Sequence, residues 1–406
     1  MENALPLEGI KVIELAAVVA APTAGRILAD FGAEVIKIET PVSGDPLRFI
    51  GDMTWLPHTK DNNPMFDHFN TGKKLTAVNL KSEEGMDILF RLLESADVLI
   101  SNTRMKSLKK MGLDYESLHK RFPRLIYAHF SGFGNKGPDK DRPGYDTTAF
   151  WMRTGSVLDM VCEGDFPARP SYAFGDIASA SYLLNGILIA LLGREKTGLG
   201  TMVETSLFAS GIWMNGTYVI NTQPQYGNVL PHDRYEPWHP FSDCFKCSDG
   251  IWIAPLSKNY SKDLAFLDEL FGLHELVEDE DYQTVTRMKE SGKEAPMIRH
   301  LEQIISTKTS EEWKEIFEKA DLPYEIVRHI KDIPSDPQAI ANGYLETVEY
   351  PEGNAEMPIE PIKFSEYSKK PFKRQGYIGA DTDEVMKEYG YSDEQISELK
   401  EKKVIQ

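Results

Sequence analysis

Between residues 10 and 40 the chain alternates apolar runs with a helical repeat. Ile10-Lys-Val-Ile-Glu-Leu15 is a short apolar run, Pro22 to Asp30 carries apolar positions at helical spacing, and Glu34-Val-Ile-Lys-Ile-Glu39 is apolar again. Strand, helix, strand in this order is a βαβ unit, so a parallel sheet is expected. Pro22 falls in the first helical turn, where its missing N–H costs nothing, and Gly32 closes the helix. The rhythm breaks from Pro41 to Lys73, a stretch rich in Pro, Asp, Asn and Gly that reads as a long irregular excursion of the functional or partner-contacting kind. It resumes with strands over Leu75–Leu80, Asp97–Ser101 and Leu125–Phe130, separated by helices over Glu84–Ser95 and Tyr115–Arg121.

Farther along, Ser171-Tyr-Ala-Phe-Gly-Asp-Ile-Ala-Ser-Ala180 runs into the apolar segment Tyr182–Leu192. This pattern predicts a loop that turns into a buried helix, with Asp176 at its first position. Thr201–Phe208 reads as a strand feeding a helix through about Val219. Composition then shifts: Asn221–Pro240 is a Pro-rich linker, and a hairpin around Ser248-Asp-Gly250 with helices near Lys262–Phe271, Ala295–Ser306 and Ser310–Lys319 forms a smaller α+β unit. A second linker, Asp332–Gly343, leads to the Pro-studded stretch Pro351–Pro371 and to two charged amphipathic helices, Asp381–Gly390 and Ser392–Lys402.

The 406 residues carry a net charge of −18, which disfavours nucleic acid and anionic membranes as partners. No run approaches the ~18 consecutive apolar residues of a membrane span, and the N-terminal Met-Glu-Asn-Ala-Leu-Pro has no signal-peptide pattern, so a cytoplasmic protein is expected. Cys162, Cys244 and Cys247 suggest no disulfide framework. The C-x-x-C pair lies in the hairpin without a second pair to complete a metal site, so no metal is expected. The connection after the first strand, Ala16–Pro22, lacks Gly-x-Gly-x-x-Gly, which disfavours a nicotinamide enzyme.

Ligands of open α/β sheets gather at the carboxyl ends of strands, and two loops there carry chemistry. Asn102–Gly112 brings Arg104, Lys106, Lys109 and Lys110 together, the local cation density that an anionic ligand needs in so acidic a chain; a solvated helix face is the alternative. Ser131-Gly-Phe-Gly-Asn-Lys-Gly-Pro138, continuing to Gly144-Tyr-Asp146, has glycines that allow close backbone approach. Asp176 itself has two open readings from local sequence, a helix cap or a nucleophile.

The ordered set of motifs resembles the class III CoA-transferases, the family of formyl-CoA, carnitine and aryl-lactate CoA-transferases. It runs from Leu7-Glu-Gly-Ile-Lys-Val-Ile-Glu-Leu15 and Gly32–Glu39 through Ser131-Gly-Phe-Gly, Gly137-Pro138, Gly144-Tyr-Asp146, Gly175-Asp176, Lys196–Gly200 and Asp381–Val385. The resemblance implies an open Rossmann-like α/β domain built from residues 1–225 and, after a linker, residues 329–406. A smaller α+β domain would span 226–328, and two chains would be threaded as interlocked rings. It implies Asp176 as the catalytic residue, and CoA, a substrate rather than a resident cofactor, against Val18, Val19, Ala20, Val78, Asn102, Arg104, Lys110, Tyr145 and Asp146. Thr40 stands where formyl-CoA transferases carry Arg, and Trp238-His-Pro240 replaces the Gly-rich cover of oxalate-using members, so oxalate is disfavoured.

The implied reaction moves CoA from an acyl-CoA to a small carboxylic acid. The closest likeness is to enzymes acting on 2-hydroxy acids such as 2-hydroxyisocaproate or aryl-lactates in amino-acid fermentation. Carnitine or a dicarboxylate is an alternative acceptor, and a 2-methylacyl-CoA racemase-type isomerase an alternative activity. Such racemases use the His of a Gly-His-Asp motif, where this chain has Tyr145. With an ordinary pKa of about 3.9 the Asp176 carboxylate is expected to be ionised, helped by the helix dipole, and to need no general base. Phe150-Trp-Met152, Trp213-Met-Asn215 and Tyr235-Glu-Pro-Trp238 are candidates for an apolar acyl pocket, with core packing as the alternative.

Overall fold

The computed structural model describes residues 4–60, 62–237 and 239–406. The chain divides into two compact units: Met1–Ser156, Arg169–Ile220 and Pro337–Gln406 form the first, Val157–Ala168 and Asn221–Asp336 the second.

The first unit is built on a parallel sheet of six strands, β1 (Lys11–Leu15), β2 (Glu34–Glu39), β3 (Lys74–Ala77), β4 (Val98–Ser101), β5 (Ile126–Ser131) and β6 (Met202–Ser206). Their order is β3-β2-β1-β4-β5-β6, with Val12 opposite Val35 on one side and Val98 on the other. The order reverses between β1 and β4, which opens a crevice at their carboxyl ends.

Alternation along the strands loads both faces. Val12, Ile100 and Ala128 point into a core with helix α1 (Ala20–Asp30) and the helix Phe174–Thr197, where Ala21 and Ala24 meet Leu183 and Ile187. Ile13, Leu99 and Tyr127 point the other way, onto Leu89, Leu92 and Leu118 and onto Val385, Met386 and Ile396 of the C-terminal helices Thr382–Glu388 and Asp393–Glu401. The helix Phe174–Thr197 is 24 residues long and, by length and composition alone, apolar enough to cross a bilayer; here it packs against α1 and β6.

Three segments depart from the sequence expectation. Pro41–Lys73 is not an irregular excursion: it holds a 3₁₀ turn at Pro46–Phe49 and helices at Gly51–Thr54 and Pro64–Asn70. Asp45 accepts Leu47 N–H at 2.9 Å and Asn63 accepts Phe66 N–H at 3.1 Å, so the Asx and Pro residues that read as loop are helix starts. The basic loop after β4 is largely a helix, Met105–Met111, closed by Gly112 at a φ of +68°. Ahead of and within the Pro-studded stretch, Leu345–Tyr350 and Gly353–Pro358 pair as an antiparallel hairpin.

The second unit has the expected hairpin, Phe245–Lys246 with Trp252–Pro255, extended by Tyr324–Ile326. Phe271, Trp313 and Phe317 stack at its centre, contributed by helices Tyr260–Phe271 and Ser310–Lys319.

Under the crevice lies a buried ion cluster. Glu14 on β1 is fully buried, with Lys37 Nζ at 3.0 Å and Lys73 Nζ at 2.8 Å. Lys37 also reaches Asp45 at 2.9 Å, and Lys73 donates to Pro22 C=O and Asn70 Oδ1. Gly25 makes room: a Cβ there would lie 2.0 Å from Glu14 Oε2. Burial pulls the Lys73 ammonium down to about 8 against the attraction of Glu14. Removing one member strands the others without compensation. Glu14→Ala is therefore expected to lose about 3–5 kcal/mol in urea unfolding. Lys74→Ala, which breaks half-exposed pairs with Glu34, Glu384 and Glu388, should lose about 1 kcal/mol or less.

Candidate active site

The crevice deepens into a cavity of ≈ 370 Å³. Four chain segments wall it: residues 17–20 after β1, 102–105 after β4, 129–132 with 135 at the end of β5, and 140–146, with Asp176 and Leu207 completing it. Each segment follows a strand or opens a helix, which is where the topology leaves backbone groups unpaired.

Asp176 is the third residue of its helix, not the first, and caps nothing. The N-cap is Ala173, held at a φ of +61°, and no side chain satisfies the first turn in the usual way. Asp146 faces that turn instead. Its carboxylate is directed to the N–H groups of Gly175 and Asp176 and to the Trp151 indole without closing a full hydrogen bond, and Oδ1 is left buried and unpaired. Gly175 is required there, because a Cβ would sit 2.2 Å from Asp146 Oδ1 and 2.4 Å from the Phe150 ring.

Among the described residues, no cation stands beside the two carboxylates. Burial, then the charge of Asp146, pushes Asp176 up to about 7; burial pushes Asp146 up to about 6. The expectation of an ordinary, dipole-stabilised carboxylate at Asp176 is thus corrected: lost hydration and a like charge outweigh the helix end. The group is half ionised near neutrality, and its carboxylate is more basic than a free aspartate.

Val18, Val19, Ala20, Asn102, Arg104, Tyr145, Asp146 and Asp176 all line this cavity. Lys110 lines an adjoining hollow of ≈ 330 Å³ with Arg104, Lys106, Ser107 and Asp141. Val78 stands apart: it is buried in the core on the other face of the sheet, its N–H bonded to Glu39 C=O, and lines neither space. Of the glycines in the loop after β5, Gly132 serves a neighbouring backbone, since a Cβ there would lie 2.6 Å from Gly144 Cα. Among the described residues, none of the aromatic stretches lines the cavity. Phe150 is core, Trp213 is exposed, Tyr235 packs under Arg299 in the second unit, and Trp238 lies outside the described residues.

Lys140, Arg142, His129 and Asn135 line the cavity and were not singled out in the sequence. The signal for the first two was two cations between Pro138 and Gly144, inside a loop already marked by its glycines. His129 is buried at the end of β5, with Nε2 3.0 Å from Thr103 C=O and Nδ1 3.0 Å from Asn135 Nδ2. These contacts fix Nε2 as the donor, and burial lowers its pKa, so it is a neutral strut between two walls.

A carboxylate-centred cavity rimmed by cations is suited to acyl transfer on an anionic thioester, and the comparisons with known proteins agree. The chain is 37% identical over 400 residues to the (R)-2-hydroxy-4-methylpentanoate CoA-transferase of Clostridioides difficile, covering 98% of this chain and 99% of that one. It is 38% identical over 411 residues to the cinnamoyl-CoA:phenyllactate CoA-transferase of Clostridium sporogenes, covering 100% and 98%. The crystal structure of a CAIB/BAIF family protein from Brucella suis superposes with a TM-score of 0.77 at 29% identity, covering 96% of this chain and 100% of that one. The family model for CoA-transferase family III matches residues 7–382, and the chain belongs to that family.

Proposed function

We propose that this enzyme moves CoA from an acyl-CoA to a 2-hydroxy acid, such as 2-hydroxyisocaproate or an aryl-lactate, with Asp176 as the nucleophile. The observation that carries the reading is the uncompensated Asp176 carboxylate in a cavity that Arg104, Lys140 and Arg142 also line. Two relatives that cover almost the whole chain, and act on 2-hydroxy-4-methylpentanoate and phenyllactate, support the acid class.

The chemistry balances without water. An Asp176 oxygen attacks the thioester carbonyl carbon, the C–S bond breaks, and an aspartyl-acyl anhydride and CoA thiolate form. The thiolate attacks the Asp176 carbonyl carbon, releasing the donor acid and leaving an aspartyl-CoA thioester. The acceptor carboxylate attacks that thioester to give a second anhydride, and the returning thiolate takes the new acyl group and frees Asp176. Raised basicity strengthens the nucleophile, and cationic groups at the rim suit the CoA phosphates. The cavity-lining residues Val18, Val19, Ala20, Asn102, Arg104, Tyr145 and Asp146 would contact CoA, with Lys110 at its outer end. Isomerisation has less support, because the cavity's histidine, His129, has both ring nitrogens engaged.

In this reading the large unit is the CoA-binding domain of a cytoplasmic homodimer with interlocked chains. Ile189 and Leu192 on the outer side of the Asp176 helix, with Trp213 and Ile220, expose apolar surface of the kind that a subunit interface buries. Sedimentation is expected to give twice the 45.9 kDa chain mass, and a monomer at micromolar concentration would remove the dimer.

Asp176→Ala should fold, bind CoA and lose transfer by at least ~10⁴-fold, with no hydroxylamine-trapped adduct at residue 176. Retained transfer would sink the nucleophile. The pH profile follows from the raised pKa: only the ionised carboxylate attacks, so kcat/KM should fall as pH drops below about 7 and level off above it. Asp146→Asn removes the like charge, and should move that limb to lower pH.

A further inference from the structure

Val18 has a φ of +68°. A β-branched residue enters the left-handed region only when its surroundings over-determine it. The surroundings here are two side chains from outside the loop. Asp45 Oδ1 accepts the Val18 N–H at 2.9 Å. Asn102 grips Ala17 at both ends, accepting its N–H at 3.1 Å and donating Nδ2–H to its C=O at 2.7 Å.

Asp45 is held as firmly as it holds. Its Oδ2 lies 2.9 Å from Lys37 Nζ, and the same ammonium donates to Ala16 C=O at 2.7 Å and to Glu14 at 3.0 Å. Its own N–H donates to Glu39 Oε1 at 2.9 Å. The buried ion cluster therefore reaches the backbone of the loop after β1 at two points, Ala16 C=O through Lys37 and Val18 N–H through Asp45. Ala17, Val18, Val19 and Ala20 line the Asp176 cavity, and Asp45 does not.

We propose that Asp45 is a positioning residue for the acyl-CoA site: backed by Lys37, it holds Val18 in the left-handed conformation that shapes one wall of the Asp176 cavity. This rests on reading that cavity as the acyl-CoA site. Asp45 touches no reacting atom. It acts through the Val18 N–H, and a relaxed Val18 would turn Ala17 and Val19 out of their present directions. Its bond to Leu47 N–H, which starts the turn Pro46–Phe49, is the competing and purely structural role.

Glycine separates the two roles, because it adopts a positive φ without penalty. The experiment is a double-mutant cycle of Asp45→Ala with Val18→Gly, read by CoA calorimetry, by KM and kcat for an acyl-CoA, and by melting temperature. Asp45→Ala should raise KM for acyl-CoA at least ~30-fold, and in the Val18→Gly background the same substitution should raise it by no more than ~3-fold. A melting temperature lowered equally in both backgrounds fits this expectation, since the Val18→Gly change restores loop shape and not the ion pair. Asp45→Asn keeps an acceptor for Val18 N–H while losing the charge beside Lys37. It should leave KM within about 3-fold of wild type even where it lowers the melting temperature. It also serves as the test if Asp45→Ala does not fold.

Equal KM penalties in the two backgrounds, or a folded Asp45→Asn with KM raised as far as expected for Asp45→Ala, would overturn the positioning role. Wild-type enzyme that binds no CoA would instead overturn the reading of the cavity itself, and with it this inference.

Discussion

The compensated burial of Glu14 is the constraint on which the crevice depends. A carboxylate wholly out of water is tolerable only with opposite charge and hydrogen bonds in place. Here two ammoniums supply them: β2 gives Lys37, the end of the Pro41–Lys73 segment gives Lys73, and Asp45 pairs with Lys37 to balance the excess positive charge. The segment that looks least structured in the sequence must therefore fold back over the sheet, because its last residue is half of a buried ion pair. Pinning at Ala16 and Val18 then follows, and the wall of the cavity is set before a ligand arrives. Such preorganisation lowers the ordering cost of binding.

Asp176 and Asp146 show the opposite use of burial. Glu14 has cations within hydrogen-bonding distance, whereas the two aspartates face each other and the start of a helix, and both sit well above the carboxylate range. The same desolvation that would be a defect in a core makes a carboxylate more basic, which suits the nucleophilic role proposed for Asp176. Stability is spent at one end of the sheet, close to where the ion cluster secures it.

Much of this was legible in the sequence. The βαβ rhythm gave the parallel sheet because strands buried on both faces are largely apolar, and the paired C-terminal helices were visible as amphipathic repeats. Loops at strand ends drew attention to the cations around Arg104 and to the glycines up to Gly144 because ligands of such sheets gather there, while Asn102, Tyr145 and Asp146 entered as contacts through the resemblance. What stayed hidden depends on non-local contact. Glu14 and Lys37 look like ordinary polar positions in alternating strands, and nothing local says that Lys73, 59 residues away from Glu14, completes their cluster. The pKa of Asp176 was hidden for the same reason: its helix predicts a low value, and burial, with the approach of Asp146 across the Gly175 gap, reverses it. Val78 was carried by resemblance alone, and the packing of Ile405 and Leu89 around that position makes it core.

The acidity of the chain sharpens the role of the cavity rim. With a net charge of −18 the protein as a whole repels both an acyl-CoA and a carboxylate acceptor. Arg104, Lys106, Lys110, Lys140 and Arg142 interrupt that field at one mouth, so an anion loses least by entering at the cavity that holds Asp176. Discrimination among acids then falls to what lies inside. Two relatives equally similar to this chain handle a branched aliphatic and an aromatic 2-hydroxy acid, so the shared scaffold serves both. A difference of one methylene in a pocket is worth about 1–3 kcal/mol, which a few apolar side chains can supply. Met105, Phe130 and Leu207 are the largest of the aliphatic and phenyl side chains along the cavity, contributed by segments that the sheet holds in place. In the proposed reaction the scaffold sets the chemistry, and the few apolar side chains along the cavity are where discrimination among acids would act.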